Sequence, residues 1–246
     1  MTSVIGVMCL LTMTTLDAVR LTAAREFLVG VILPFSNIRL WSIPKVRPAI
    51  HYAMETIRNE SMLPNDELVM MFRDSKCSET FGPLAAFELV RYSPPNLFLG
   101  PACDYAVASI ARFSPHWNIP VITGGALVNA FQDKNQYQQL TRIGGSYVKI
   151  GNFLVTLFRY FNWSTAMLIY HANLGVRQSL GRTTEHFIME AVHLPLNLAF
   201  NKGYQLRKPI HYAVFDVNAS REEAVYVEPE KLMRDASTSA RSKNRF

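Results

Sequence analysis

Apolar and polar positions fall in alternating blocks along the chain. Phe27–Leu33 is a continuous apolar run ended by Pro34, as expected for a strand of a parallel sheet covered on both faces. Ser42 marks a helix start, with Pro44 tolerated in the first turn. Val46, Ile50, Ala53, Met54 and Ile57 then recur at helical spacing. Glu67–Phe72 predicts a second strand and Glu79–Tyr92 a second helix, its inward stripe on Leu84, Phe87 and Val90. Leu97–Leu99 predicts a short buried strand, followed by a helix reaching Trp117 and a strand from Pro120 to Thr123. Leu140–Ile143 reads as a strand, Ser146–Phe161 as a helix with Tyr147, Ile150, Leu154, Leu157 and Phe161 inward, and Thr165–Tyr170 as a strand. This alternation predicts an α/β fold with a doubly wound, mostly parallel sheet. Beyond His171 the pattern weakens, leaving a helix over Thr184–Val192 and a strand over Tyr212–Val217.

The stretch from Asn96 to Pro120 packs a strand, a Gly100-Pro101 turn, a helix and the next strand into one unit. Ligands of open α/β sheets bind at the carboxyl ends of the strands, where the Gly100-Pro101-Ala102-Cys103 turn lies. The Ala102 and Cys103 amides at a helix start favour an anion. Gly124-Gly125-Ala126 is a second tight turn at a strand's carboxyl end.

Composition places the chain among globular proteins, with 49% apolar and 18% charged residues. The net charge of +6 is spread singly until the last residues, the pattern of a solvated surface and not of a nucleic-acid binder. Residues 1–24 differ: Val4–Leu11 is apolar and Thr22-Ala23-Ala24 supplies small residues, so the segment reads as a secretory signal peptide, with a buried first helix as the other reading. No apolar run is long enough to span a bilayer. If residues 1–24 are removed, Cys9 goes with them, leaving Cys77 and Cys103. An even count suits an oxidising compartment, and a bridge between them would stabilise by roughly 3 kcal/mol. Asn59, Asn162 and Asn218 each begin an N-x-Ser glycosylation pattern.

Nucleotide and hydrolase motifs are absent: there is no Gly-x-Gly-x-x-Gly after the first strand, no phosphate-loop Gly-x-x-x-x-Gly-Lys and no Gly-x-Ser-x-Gly. Cys103 and His116 form a conceivable thiol–imidazole pair for a thiol enzyme, outweighed by a structural cysteine and a helix-end histidine beside Trp117. Cys77, Cys103 and His116 lack the close-spaced pair of a zinc site, so no metal is expected. Ser75 precedes Cys77 by two residues. With Cys77 and Cys103 joined, its hydroxyl would lie beside the Ala102 and Cys103 amides, a cradle for a small anion such as chloride. The alternative is that Ser75 only caps its own turn.

Leu99-Gly-Pro-Ala-Cys-Asp-Tyr-Ala, Ala111-Arg-Phe-Ser-Pro-His-Trp-Asn-Ile-Pro, Gly125-Ala-Leu and Leu140-Thr-Arg resemble the extracellular ligand-binding region of natriuretic peptide receptors. Val46-Arg-Pro-Ala-Ile-His-Tyr-Ala and Asp74-Ser-Lys-Cys are most like the clearance-type receptor, and Phe158-Arg-Tyr-Phe-Asn-Trp-Ser fits the same family. The similarity covers roughly residues 27–170. It implies a type I periplasmic-binding-protein-like lobe that binds a peptide hormone between the subunits of a homodimer, without catalysis. It also implies a chloride ion on Ser75, Ala102 and Cys103, a bridge between Cys77 and Cys103, and a dimer face that includes His116 and Trp117.

Family members continue into a full second lobe and a membrane span, and no convincing match is seen here from about Leu194. The sequence reading is therefore of a chain truncated after the first lobe. Residues 25–165 are expected to form the membrane-distal lobe, 166–219 a partial start of the second lobe and 220–246 a disordered tail. The chain is expected to be secreted or to lie on the extracellular face of the plasma membrane. Another reading keeps the fold but takes an amino-acid-type small molecule at the first-strand and Gly124-Gly125 turns.

Overall fold

The computed structural model describes residues 25–64, 66–171, 184–201, 211–215 and 229–240. Residues 1–24, expected to be a signal peptide, and Asn218 lie outside the described residues. In chain order the strands are β1 (Arg25–Leu33), β2 (Asp66–Asp74), β3 (Leu97–Leu99), β4 (Val121–Thr123), β5 (Leu140–Arg142), β6 (Met167–His171) and β7 (His211–Phe215). The helices are α1 (Ile43–Asn59), α2 (Phe81–Tyr92), α3 (Asp104–Trp117), α4 (Val148–Tyr160), α5 (Thr184–Asn201) and α6 (Pro229–Ala240), with one 3-10 turn at Asn129–Gln132.

Two compact units divide these elements: the described residues of Met1–Ala126 with Asp133–Gly144, and those of Leu127–Gln132 with Gly145–Phe246. The sequence reading ended the first lobe at residue 165. The contacts divide at Gly144 and Gly145 because α4 packs against α5, where Gly151 meets the Ala191 carbonyl oxygen and Pro195.

The first unit holds a five-stranded parallel sheet in the order β2-β1-β3-β4-β5. This is a doubly wound arrangement, with its topological switch point between β1 and β3. Both faces are covered, which is why β1 reads as an unbroken apolar run. Val29, Val31 and Leu33 pack with Ile43 and Ile50 of α1, while a side chain at Gly30 would press on Leu89 of α2 and on Phe98.

Five helices depart from the expectation in face, length or presence. On α2 the buried residues are Gly82, Ala85, Ala86 and Leu89, while Leu84 and Phe87 face solvent. Small side chains let α2 approach α3 closely: a Cβ on Gly82 would lie 2.7 Å from that of Ala106. Ala53 of α1 and Ile150 and Phe161 at the ends of α4 are likewise exposed, not inward. Helix α5 runs past Val192 and through Pro195 to Asn201. Finally, α6 is helical over Pro229–Ala240 within the segment expected to be disordered. Leu232 on it is buried, and Pro229 is suited to a first helical position.

The second unit holds a two-stranded parallel sheet, β6 beside β7. Val192 and Leu196 of α5 pack there with Leu154, Val155 and Phe158 of α4 and Leu168 of β6.

Candidate functional site

The loops at the carboxyl ends of β1, β2, β3 and β4 are tied together at the switch point. After β2, Asp74 Oδ1 accepts from the Phe35 and Lys76 N–H groups at 2.9 and 2.8 Å. The Ser75 N–H donates to the Leu33 carbonyl at 3.0 Å. Ser75 is completely buried, and its Oγ accepts from the Cys77 N–H at 3.2 Å. Lys76 and Cys77 both adopt positive φ, a tight reversal that aims Cys77 at the start of α3. There Cys77 is bridged to Cys103, with the two Cα atoms 5.5 Å apart.

After β3, Gly100 has φ +91 and precedes a cis bond to Pro101. Its N–H donates to the Ile122 carbonyl at 2.8 Å, and a side chain there would strike the Ile32 carbonyl. Only glycine is comfortable with both demands. After β4, the buried Thr123 Oγ1 donates to the Pro101 carbonyl and accepts from the Gly125 N–H at 2.9 Å. Gly125 lies directly on the backbone of Ala102.

This geometry settles two sequence readings. The Cys103 thiol is consumed by the bridge, and Cys103 and His116 sit at opposite ends of α3, about 20 Å apart at the helical rise. A Cys103–His116 thiol enzyme is therefore overturned. The Gly125 amide is already bonded to Thr123, so this turn does not offer it to a small-molecule carboxylate. Among the described residues, no group of three or more His, Cys, Asp or Glu could hold a metal.

Each donor named for an anion keeps a hydrogen to offer one. Ser75 uses an Oγ lone pair for the Cys77 amide, which leaves its proton to be donated elsewhere. Among the described residues, the Ala102 and Cys103 N–H groups reach no backbone carbonyl. A Cβ on Gly82 would lie 3.9 Å from that of Ser75 and 2.7 Å from that of Ala106, so Ser75 faces the first turn of α3. Asp104 in that turn carries a carboxylate, of the same sign as the anion.

A separate feature lies on the outer face of α2 and α3. Phe87, Phe113 and Trp117 form a ring cluster, with Phe87–Phe113 at 5.4 Å, Phe87–Trp117 at 5.1 Å and Phe113–Trp117 at 5.8 Å. Phe87 is 43% and Phe113 42% exposed, beside Leu84 at 50%. His116 is exposed and Trp117 half-buried. The resemblance named His116 and Trp117, which lie in or beside this cluster; Leu84, Phe87 and Phe113 were not named, because helical spacing placed two of them inward. Asn59 and Asn162 are both exposed. No helix among the described residues is long and apolar enough to cross a membrane.

The family model described as a receptor family ligand binding region matches residues 45–233. The chain is similar to the rat atrial natriuretic peptide receptor 2, 42% identical over 156 residues that make up 62% of this chain and 15% of the relative. It is also similar to the mouse atrial natriuretic peptide receptor 3, 36% identical over 183 residues, 70% of this chain and 32% of the relative. With the human receptor 3 the identity is 36% over 177 residues. The chain thus spans less than a third of the length of the curated relatives it matches.

Proposed function

The chain belongs to the family of receptor ligand-binding regions whose members include natriuretic peptide receptors, and from that premise we propose that it is the extracellular membrane-distal lobe of such a receptor. In this reading it serves peptide-hormone binding as a homodimer and carries no catalytic group of its own. The relatives' names support the hormone class. The observation that carries the dimer is the exposed Phe87–Phe113–Trp117 cluster with Leu84 and His116 beside it. Clustered exposed aromatics of this kind anchor protein interfaces.

Sedimentation equilibrium of the secreted chain, with and without natriuretic-type peptides, tests both parts. A dimer is expected, and Phe87→Arg is expected to weaken it about 30-fold or more, the effect of losing one interface hot spot. A wild-type chain that stays monomeric up to its solubility limit overturns the dimer. Calorimetry with the same peptides reads hormone binding, and heat only with amino acids would replace the hormone reading by the small-molecule one.

The anion cradle belongs to the same proposal: chloride held by the Ser75 hydroxyl and the Ala102 and Cys103 amides would brace the start of α3. Binding to the folded state alone stabilises by about 1.4 kcal/mol at ten times the dissociation constant. Exchanging gluconate for chloride at fixed ionic strength is therefore expected to raise Tm, and Ser75→Ala to blunt that rise. A Tm indifferent to chloride in the wild-type chain counts against the ion.

A further inference from the structure

The end of α4 carries a group of exposed aromatic side chains. Tyr160 is 81% exposed, Phe161 52% and Trp163 48%. Three large rings within four residues are more than scattered surface hydrophobicity, and such patches mark a contact. The rings are also ordered against one another. Phe161 and Trp163 stack at 5.0 Å with 19° between their planes. Tyr160 meets Phe161 edge-on at 4.9 Å, and Phe158 meets Trp163 edge-on at 5.4 Å.

The residue between the stacked rings is Asn162, which begins Asn162-Trp163-Ser164. The backbone explains its placement. The Asn162 N–H donates to the Arg159 carbonyl and the Trp163 N–H to that of Phe158, with Asn162 at φ 54. That pair of bonds with a left-handed residue is the Schellman helix ending, and the Phe158–Trp163 ring contact is the apolar clasp that accompanies it. Asparagine is among the few non-glycine residues that accept this conformation. It therefore stands exposed on a tight turn, flanked on both sides by aromatic residues with Tyr160 two positions before.

N-acetylglucosamine is the covalent partner that an N-x-Ser pattern takes. Its hydroxyls lie around the rim, and its ring C–H groups and acetyl methyl give it apolar faces. The electron-rich face of an aromatic ring attracts such C–H groups. We propose that Asn162 carries an N-linked glycan whose first sugar packs on the Tyr160–Phe161–Trp163 patch and stabilises the turn between α4 and β6. Asn59 provides the contrast. It is also exposed, in the last turn of α1, but its neighbours from Thr56 to Met62 include no aromatic residue, so the sequence beside it supplies no ring for a sugar to pack on.

The inference rests on the extracellular reading in one respect: the chain must enter the secretory pathway. The full chain is produced behind a foreign leader in mammalian cells that make only high-mannose glycans, as wild type, Ser164→Ala, Tyr160→Ala, the double variant and Asn59→Gln. Ser164→Ala blocks transfer while keeping Asn162 in its turn. Peptide mapping is expected to find Asn162 modified. Ser164→Ala is expected to lower Tm by about 2–4 °C, the shift typical of a modest contact in a chain of this size. In the Tyr160→Ala background that loss shrinks towards zero, and Asn59→Gln moves nothing. Trimming the wild-type protein with endoglycosidase H, which leaves one sugar, retains the Tm, whereas complete removal lowers it. An unmodified Asn162 in secreted protein, or a Ser164→Ala loss of equal size with and without Tyr160, overturns the proposal. Production behind the chain's own residues 1–24 reads the extracellular reading separately: retention in the cell there overturns that reading and leaves the result at Asn162 standing.

Discussion

Replacing Cys77 and Cys103 together by alanine is expected to lower the unfolding free energy by roughly 3–4 kcal/mol, on the chain-entropy estimate for a loop of this length. The bridge spans 26 residues, a segment that includes all of α2 and β3. Without it the unfolded chain regains the freedom of that loop, while the folded chain loses the tie between the β2 loop and the start of α3. Alanine suits the test because Cys103 is buried and a serine there would bring in an extra polar group. The Asp74 and Ser75 hydrogen bonds that remain, each contributing about 1 kcal/mol, hold the β2 loop to the end of β1 and not to α3, so the site is expected to loosen before the sheet melts. The corresponding fall in Tm is on the order of 10 °C. Thermal and urea unfolding of the double variant against the wild type reads the effect. An unchanged midpoint would mean that packing of Gly82 on Ala106, and not the bridge, holds the corner. A chloride response that vanishes in the same variant would tie the anion cradle to the bridge as well.

The elements that were legible in the sequence are those whose signal is local. Strand β1 shows because its covered part, Phe27–Leu33, is apolar on both faces, and the turns after β3 and β4 show because glycine and proline permit few other conformations. Cys77, Cys103 and Ser75 could be placed together for the same reason: one bridge between two strand ends carries Ser75 with it. What failed depends on who touches whom. On α2 the larger side chains suggested an inward stripe of Leu84 and Phe87, yet close approach to α3 requires Gly82, Ala85 and Ala86 inside. The large residues are then left outside, and the aromatic cluster they make with Phe113 and Trp117 was invisible in either helix alone. Ser42 was read as a cap. It does occupy the N-cap position of α1, but its hydroxyl makes no capping bond and is buried without a hydrogen-bond partner among the described residues. Helix α5 outran its expected end because Pro195 is seated against Gly151, a contact supplied by another helix. The role of Thr123, which fastens the Pro101 carbonyl and the Gly125 amide at once, has no sequence signature at all.

Gly124 and Gly125 are adjacent, and alanine is expected to have opposite effects at the two. At Gly124 an added Cβ meets nothing within 4 Å. Gly124→Ala there mainly restricts the unfolded chain, and the expected change is a gain of up to about 1 kcal/mol. At Gly125 the added Cβ would overlap the Ala102 carbonyl oxygen and lie 2.6 Å from the Ala102 carbonyl carbon and Cα. These are backbone atoms, so no side-chain rotation relieves the clash. Nor can Ala102 withdraw, because Thr123 holds the Pro101 carbonyl before it and the Cys77 bridge holds Cys103 after it. The strain must then spread into the β4 turn, stretching the Gly125–Thr123 hydrogen bond and, through Thr123, the Pro101 contact. Gly125→Ala is expected to lose about 3 kcal/mol or more, at the upper end for overpacking because both sides of the contact are fixed. Urea midpoints of the two single variants, measured side by side, decide the matter. A Gly125→Ala variant as stable as Gly124→Ala would mean that the two strand-end turns are not in contact. A large loss confined to Gly125 would show that the corner around Ala102 is one rigid piece, which a preformed anion site at the start of α3 requires.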